Sequence, residues 1–260
     1  MLRKIWKERA VVARMALADF RSRYAGTALG ALWAFVQPIV TLLVYVFVFS
    51  VGFRSAPVTG VPYVLWLFCA MVPWFFFSDV LTGVTDSLRQ YGHLIRKTPF
   101  DPYLLPAIRA GGALPAHGVF WGLLLIAAAV SGQKMGIFWL QSLYYSFCAL
   151  MLSLGLGVLF CALSPFFKDI SQTVGILLQV GFWLTPLAWS PQIMSETVQK
   201  ILRLNPVYYI VQGYRDSFLT PLWVWKRPGW TAYFWGVTAL VWILAQGVFK
   251  RLRPQFADAL

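Results

Sequence analysis

The sequence predicts an all-α polytopic membrane protein with six transmembrane helices, an N-terminal amphipathic interface helix and re-entrant helices before the last span. The first observation behind this fold class is composition: 59% of the 260 residues are hydrophobic and only 12% are charged. The second is the position of the charges. They fall between six stretches that contain no Asp, Glu, Lys or Arg and that are each at least 22 residues long. These stretches are residues 25–53, 55–78, 110–133, 135–167, 170–195 and 228–249.

The length of the stretches decides between helices and a barrel. About 20 apolar helical residues cross the hydrocarbon core of a bilayer, whereas barrel strands need only about 10 alternating residues. The chain therefore reads as one transmembrane domain over residues 1–260. Three segments within it have other roles: residues 1–24 form the interfacial helix, residues 81–102 a cytoplasmic loop and residues 196–227 the re-entrant segment.

The net charge of +13 is explained by the orientation of the chain in the membrane rather than by nucleic-acid binding. Basic residues concentrate before the first stretch and after the last one, and such residues are retained on the cytoplasmic side. Six spans place both termini on that same side. We therefore predict a multi-pass membrane protein with cytoplasmic termini and no nucleic-acid partner.

The N-terminal segment, residues 1–24, is predicted to be an amphipathic helix. Its apolar side chains can share one face that lies in the membrane interface. These side chains are Ile5, Val12, Met15, Ala16 and Phe20. The helix is either a collar at a pore entrance or an orientation anchor.

Prolines and aromatic residues mark the first two spans. Pro38 is expected to end a short helix or kink it inside the first span, and Gly26 with Gly30 permits close helix approach. The second span is expected to end at residues 73–79, where an aromatic cluster fits an interfacial belt. Residues 81–102 then hold a short helix that breaks at Thr98-Pro99.

The later spans carry few polar groups. His117 has no carboxylate in its own stretch, so we expect it to form a helix–helix hydrogen bond rather than a proton relay. Cys69, Cys148 and Cys161 are expected to be small core residues. In the 196–227 segment, apolar patches are broken at Asn205-Pro206 and Thr220-Pro221, a pattern that favours short half-helices dipping into the membrane.

Several kinds of chemistry are absent from the sequence. It contains no G-x-x-x-x-G-K-[ST] phosphate loop and no H-E-x-x-H metal motif. The six stretches contain no carboxylate of the kind that couples transport to protons. We therefore expect a chain that is not an enzyme and holds no metal or other cofactor. It either takes transport energy from elsewhere or is a passive pore or an assembly factor.

An ordered set of motifs resembles a known family, the ABC-2 type exporter permeases, and in particular those for O-antigen, capsular polysaccharide and teichoic acid. The motifs cover nearly the whole chain. They are the Asp19-to-Trp33 stretch followed by Gln37-Pro38, Pro73-Trp74-Phe75-Phe76-Phe77-Ser78, Leu94-Ile95-Arg96-Lys97, Phe167-Lys168-Asp169-Ile170-Ser171-Gln172, Phe182-Trp183-Leu184-Thr185-Pro186, Asn205-Pro206 and Tyr214-Arg215-Asp216.

The resemblance implies a homodimer bound to two copies of a separate ABC ATPase subunit, with ATP and Mg on that partner. It implies a substrate in which a glycan is attached to undecaprenyl diphosphate. It also implies that the 94–97 segment couples to the ATPase and that Gly30 and Trp33 belong to the gate. Residues that suit the ATPase contact in the cytoplasmic loop are Arg89, His93, Leu94, Arg96 and Lys97. His93 stands where the family often has Asn.

Two further sets of residues suit a lipid-linked glycan. Arg21, Arg23 and Tyr24 are expected to contact the lipid diphosphate, because the guanidinium fork matches phosphate, although generic binding of anionic lipid is an alternative. Sugar rings stack on aromatic side chains. The expected channel aromatics are Phe35, Tyr45, Trp66, Trp74, Phe182, Trp183 and Trp189.

We accordingly expect the permease subunit of an exporter that moves a lipid-linked polysaccharide across the inner membrane. Three alternatives remain open from the residues: a teichoic acid exporter permease, a non-transport membrane scaffold for glycan assembly, and a permease for small lipophilic compounds.

Overall fold

The computed structural model describes residues 7–23, 26–52, 60–97, 100–133 and 136–259. Within these ranges the chain forms eleven α-helices joined by turns and short 3₁₀ segments, with no β-strand. The helices are α1 (Arg9–Ser22), α2 (Trp33–Val46), α3 (Tyr63–Gln90), α4 (Gly92–Lys97), α5 (Leu105–Val130), α6 (Leu140–Leu163), α7 (Ile170–Leu184), α8 (Glu196–Leu202), α9 (Pro206–Phe218), α10 (Pro228–Leu252) and α11 (Phe256–Ala259). The all-α prediction is confirmed.

Four segments in the described ranges are long and apolar enough to cross a membrane, and they contain α3, α5, α6 and α10. The other two predicted spans are shorter apolar helices, Trp33–Phe49 and Ile170–Leu184. A charge-free stretch overestimates helix length where turn residues interrupt it. Helix α7 ends at Leu184 because Thr185 adopts an extended conformation (ψ 131°) before Pro186. The count of six spans therefore goes beyond the four that length and composition support.

Helix α3 lies at the centre of the bundle, between α5 and α6. It corrects the prediction that the second span ends at residues 73–79, because it continues through Pro73 to Gln90. Trp74, Phe76 and Phe77 are buried against neighbouring helices, so the expected interfacial belt is wrong. With 28 residues, α3 is about 42 Å long. The predicted cytoplasmic loop is thus largely helical, and its short helix is α4.

Pro38 likewise lies inside α2 and does not end it. A π-helical turn, Phe47–Gly52, continues α2. The short connections make the long helices alternate in direction, so the C-terminal end of α3 lies near the N-terminal end of α5 and the C-terminal end of α10. We call this the lower end of the bundle, and the end at Tyr63 the upper end. At the lower end, the rings of Tyr103 and Phe249 are 4.9 Å apart.

Helix α1 packs on α5 at the lower end. Ala16 and Asp19 form its buried centre, and Val12 and Met15 contact the core beside them. Val12, Met15 and Ala16 of the predicted apolar face thus pack against the protein's own core, and Ile5 lies outside the described residues. Gly112 of α5 permits the approach of α1, because a Cβ there would stand 2.8 Å from an Asp19 carboxylate oxygen. That α1 lies in a membrane interface stays a prediction.

The segment before the last span contains two helices of opposite character. Helix α8 has no buried residue, whereas α9 buries most of its length against α3 and α6 at the upper end. The predicted breaks are confirmed: Asn205 caps α9 by accepting a 2.9 Å hydrogen bond from the Val207 N–H, and α9 ends before Thr220-Pro221. That these helices dip into a membrane stays a prediction.

Candidate functional site

A groove of about 640 Å³ lies between α2, α3 and α5. Polar groups line it at positions that belong to apolar helices, namely Gln37, Thr41, Ser78, Asp79, Thr82 and His117. The hydroxyls of Ser78 and Thr82 each donate to a carbonyl one turn earlier in α3, at 2.8 Å. The groove therefore offers hydrogen-bonding groups along a wall that sequence hydropathy alone marks as apolar.

His117 connects two helices at the wall of this groove. Its Nε2 lies 3.0 Å from the Ser146 hydroxyl of α6, and its ring stacks on Phe76 with centroids 4.0 Å apart. The predicted helix–helix hydrogen bond is confirmed. Its Nδ1 is buried and has no partner among the described residues.

Five of the predicted channel aromatics gather between α2, α3 and the C-terminal half of α7, and we call them the aromatic cluster. They are Tyr45, Trp74, Phe182, Trp183 and Trp189. Phe182 is its centre: its ring centroid is 5.1 Å from Tyr45 in a stacked arrangement and 5.7 Å from Trp74, edge to face. The Trp189 indole N–H donates to the Trp183 carbonyl at 3.2 Å. Trp183 is 53% exposed while Trp74 is buried, so the cluster has one open edge.

The other two predicted channel aromatics lie apart from this cluster. The ring centroids of Phe35 and Phe120 are 6.0 Å apart, on the groove side of α2. Trp66 lies near the upper end, where the Arg215 guanidinium carbon stands 3.4 Å from the centre of its ring. Proximity in the fold thus divides a set that sequence composition treated as one.

The residues expected at the lipid diphosphate and the gate are distributed around α1 and α2. Arg21 is exposed, and Tyr24 lies outside the described residues. Arg23 is engaged in ion pairs with Asp19 at 2.9 Å and with Asp79 at 3.0 Å. Gly30 begins the 3₁₀ turn before α2, and Trp33 is 44% exposed and borders the groove. Their predicted roles stay predictions.

Sequence reasoning missed the group that holds α1 in place, which we call the Asp19 network. Asp19 is 2% exposed. Its carboxylate accepts hydrogen bonds from Arg109 of α5 at 2.7 Å and from the hydroxyl of Tyr91, which directly precedes α4. Arg109 also donates to the Gly83 carbonyl of α3 at 3.1 Å. The sequence feature that could have indicated this network is a single acidic residue within a basic helix, on the same face as Ala16.

Two pKa shifts accompany the Asp19 network. Burial alone would raise the pKa of Asp19, but the hydrogen bonds from Tyr91 and Arg109 and the charges of Arg109 and Arg23 outweigh it and lower that pKa below 3.8. Burial first, and then the hydrogen bond to Asp19 and its charge, raise the pKa of Tyr91 to about 12. Asp19 is therefore ionised, and Tyr91 protonated, across the physiological range.

The predicted ATPase-coupling residues surround α4 at the lower end. Arg89 and His93 are exposed, Leu94 is half-buried and Lys97 is exposed; the Arg96 side chain lies outside the described part. Arg89 donates to the Lys168 carbonyl at 3.2 Å, which connects α3 to the turn before α7. Their coupling role stays a prediction.

Metal ligands and thiols are two further kinds of candidate group in the described part of the chain. No group of three or more His, Cys, Asp or Glu side chains there is arranged to hold a metal ion. Cys69, Cys148 and Cys161 are buried and unpaired as disulfides, as expected of core residues, and the Cys161 sulfur lies 3.2 Å from the Ser87 hydroxyl.

The apolar helical bundle with its polar groove is that of a multi-pass membrane protein. A family description of the ABC-2 type transporter matches residues 11–219, and the chain belongs to that family. It is similar to the O-antigen export system permease protein RfbA of Myxococcus xanthus, at 25% identity over all of this chain and 99% of that one. The Klebsiella pneumoniae protein of the same name is 22% identical over 93% of this chain and 92% of its own length. The polysialic acid transport protein KpsM of Escherichia coli is 22% identical, covering 82% of each chain.

Proposed function

We propose that this chain is the permease subunit of an ABC exporter that moves a lipid-linked, O-antigen-like polysaccharide across the bacterial inner membrane. The observation that carries the proposal is the similarity, over nearly the full length, to permeases named for O-antigen export. A transport protein named for polysialic acid is similar as well. The teichoic acid, scaffold and small-molecule alternatives are not favoured by these relatives.

The exposed faces of α2 and α7 support a homodimer in this proposal. Large apolar side chains are exposed on both helices and are aligned along one side of each, at Val40, Leu43, Val44 and Phe47 and at Ile176, Leu177 and Val180. Trp183, the exposed member of the aromatic cluster, is on α7. A second copy placed against this side would enclose a passage lined by aromatic rings, on which sugar units stack while they slide.

In this proposal, the ATPase that supplies the energy binds at the lower end of the bundle. Two copies of a separate ATPase subunit bind ATP and Mg and contact the exposed surface formed by the last turn of α3, with Arg89, and by α4, with His93 and Lys97. Both termini are cytoplasmic in this arrangement. Arg21, which is exposed, would meet the lipid diphosphate together with Arg23 and Tyr24 through charge-assisted contacts. For Arg23 this contact would compete with its ion pairs to Asp19 and Asp79.

The experiment that tests the proposal is purification of the tagged chain from its own cells in mild detergent, with identification of bound proteins by mass spectrometry. A near-stoichiometric P-loop ATPase, together with loss of a surface polysaccharide when the gene is deleted, supports the exporter. If crosslinking recovers no ATPase and the surface glycans are unchanged, the exporter assignment is wrong.

The coupling surface can be tested separately by charge reversal. We expect Arg96→Glu with Lys97→Glu to lower ATPase stimulation and export, because like charges would face any acidic partner surface. Lys200→Glu, on exposed α8 at the other end, is the matched control and should leave both activities unchanged. Export at the wild-type level in the double variant would exclude α4 as the docking element.

A further inference from the structure

A second cavity, of about 520 Å³, lies at the upper end between α8, α9, the start of α10 and Trp66 of α3. We call it the upper pocket. It is separate from the groove, which lies between α2, α3 and α5, and shares only Trp66 with the predicted channel residues. Its volume is within the range of small-molecule sites.

Positive charge dominates this pocket. Arg203, Arg215 and Arg227 line it, and the neighbouring carboxylate, Asp216, is already paired with Arg227 at 2.7 Å. The exposed guanidinium of Arg203 is in no ion pair with any described carboxylate. Two of three guanidinium groups therefore lack a directly bonded counter-charge in the described part of the chain.

Arg215 is the most unusual of the three. It is 3% exposed, and its two terminal nitrogens donate to the carbonyls of Pro186 and Leu187 at 2.9 and 2.8 Å. Its Nε has no hydrogen-bond partner in the part of the chain that the structure describes. A buried guanidinium without a carboxylate is costly, so an anion held in the adjacent pocket would offset part of that cost.

The remaining lining suits a sugar ring. Trp230 and Tyr208 meet edge to face with centroids 5.4 Å apart, a rigid aromatic corner against which C–H faces can stack. The amides of Gln192, Gln199 and Gln212 also line the pocket, and amide groups both donate to and accept from hydroxyls. Gln212 is held in place by its 2.9 Å hydrogen bond to Asp216.

We propose that the upper pocket binds an anionic sugar unit, one that carries a carboxylate or a phosphate. The arginine groups recognise the anion through their planar donor geometry, while the aromatic corner and amides contact the ring. The identification of this sugar as part of the exported glycan rests on the proposed function. At the upper end, the pocket would receive sugar units after they have crossed the membrane.

Saturation-transfer NMR tests this directly, using the full-length chain in lipid nanodiscs together with any ATPase that co-purifies with it. The probes are glucuronic acid, glucose 1-phosphate, glucose and inorganic phosphate, with inorganic phosphate measured by competition. Binding of either acidic sugar supports the proposal and identifies its anion. We expect Arg203→Gln to weaken that binding about threefold, the scale of one solvated charge contact. Lys226→Gln removes an exposed charge nearby but outside the pocket and should leave binding unchanged.

Three results would overturn the proposal: equal binding of glucose and the acidic sugars, displacement of glucose 1-phosphate by equimolar inorganic phosphate, or equal binding by Arg203→Gln and the wild type. A parallel measurement of cell-surface polysaccharide separates this proposal from the exporter assignment. If the chain exports glycan but binds neither acidic sugar, the proposed exporter function stands and the proposed sugar site is wrong. If the chain binds the acidic sugars at Arg203 but supports no export, the proposed sugar site stands and the exporter function is wrong.

Discussion

At the residue scale, Asp19 shows how one buried charge organises a surface helix. Two guanidinium groups and a phenol converge on its carboxylate, although the rest of α1 is mostly basic or apolar. Removing one member of a buried ion pair leaves the other charged group without a partner in a poorly hydrated site. The position of α1 on α5 therefore depends on this carboxylate as well as on its apolar face.

We expect Asp19→Asn to destabilise the protein by about 3–5 kcal/mol, the range for breaking a buried pair. The measurement is reversible unfolding in detergent or nanodiscs. Asp169→Asn is the matched control, because that carboxylate is exposed and should cost little. A loss in Asp19→Asn no larger than in the control would show that the Asp19 network contributes no stability.

The same residue predicts a pH dependence. The folded pKa of Asp19 is lowered below its ordinary 3.8, so its contribution is fully present above about pH 4 and is lost as pH falls through the lower folded pKa. The wild-type melting temperature should therefore decline below pH 4 more steeply than that of Asp19→Asn. Parallel pH profiles of the two proteins would exclude this linkage.

Trp183 tests the aromatic cluster at the same scale. Because its side chain is 53% exposed, Trp183→Ala should change stability little while lowering export roughly two- to tenfold, the range of one aromatic contact. Trp225→Ala is the control, since Trp225 is 61% exposed but outside the cluster. Surface polysaccharide per cell and the melting temperature are measured together. Equal export in both variants would show that Trp183 does not line the passage.

At the element scale, α9 is held by close contact with α6 as well as by its polar caps. Gly213 faces Tyr145, and a Cβ at that position would stand 2.1 Å from a ring carbon. At the next position, the Tyr214 hydroxyl lies 2.6 Å from the Ser146 hydroxyl of α6. The absence of a side chain at Gly213 thus permits the close approach of α9 to α6, in the same helix whose Arg215 lines the upper pocket.

We expect Gly213→Ala to destabilise the fold by about 1–3 kcal/mol through overpacking. Gly236→Ala, in α10 where a Cβ meets nothing within 4 Å, should be neutral or stabilising, because alanine has the higher helix propensity. The comparison is made by thermal unfolding at one detergent concentration. Destabilisation of the same size in both would point to backbone effects rather than the Tyr145 contact.

At the scale of the whole molecule, the lower end connects α4 with the groove. Tyr91, between α3 and α4, donates to Asp19 of α1, and Arg23 of α1 pairs with Asp79 of the groove wall. A displacement of α4 would therefore act on α1 and on the groove through four side chains joined by hydrogen bonds, namely Tyr91, Asp19, Arg23 and Asp79. In the exporter that we propose, these bonds connect the ATPase surface to the groove.

Tyr91→Phe removes one hydroxyl from that connection. We expect it to leave ATPase assembly intact but to reduce glycan exported per ATP hydrolysed, because α4 can then move without α1. Tyr233→Phe also removes a hydroxyl with one hydrogen bond, to the Leu204 carbonyl at 2.8 Å, but at the opposite end of the bundle. Unchanged export per ATP in Tyr91→Phe would exclude the connection.

The sequence by itself determined the fold class, the family motifs and the local breaks, because apolar run length, proline and capping residues act over a few neighbouring positions. It correctly placed the ends of α9 and the helix–helix bond of His117. It misplaced the end of α3, since a charge such as Asp79 ends a charge-free stretch without ending a helix. It also extended α7 beyond Leu184, where Thr185 adopts an extended conformation before Pro186.

Only the tertiary structure decided which distant residues act together. Asp19 and Arg109 are 90 positions apart in the chain, and Tyr45 meets Phe182 across α2 and α7. Neither pair leaves a local pattern, because hydropathy and helical period describe one helix at a time. Which face of a uniformly apolar helix turns inward depends on its neighbours' shapes, and so the groove, the aromatic cluster and the upper pocket emerge only when the helices are assembled.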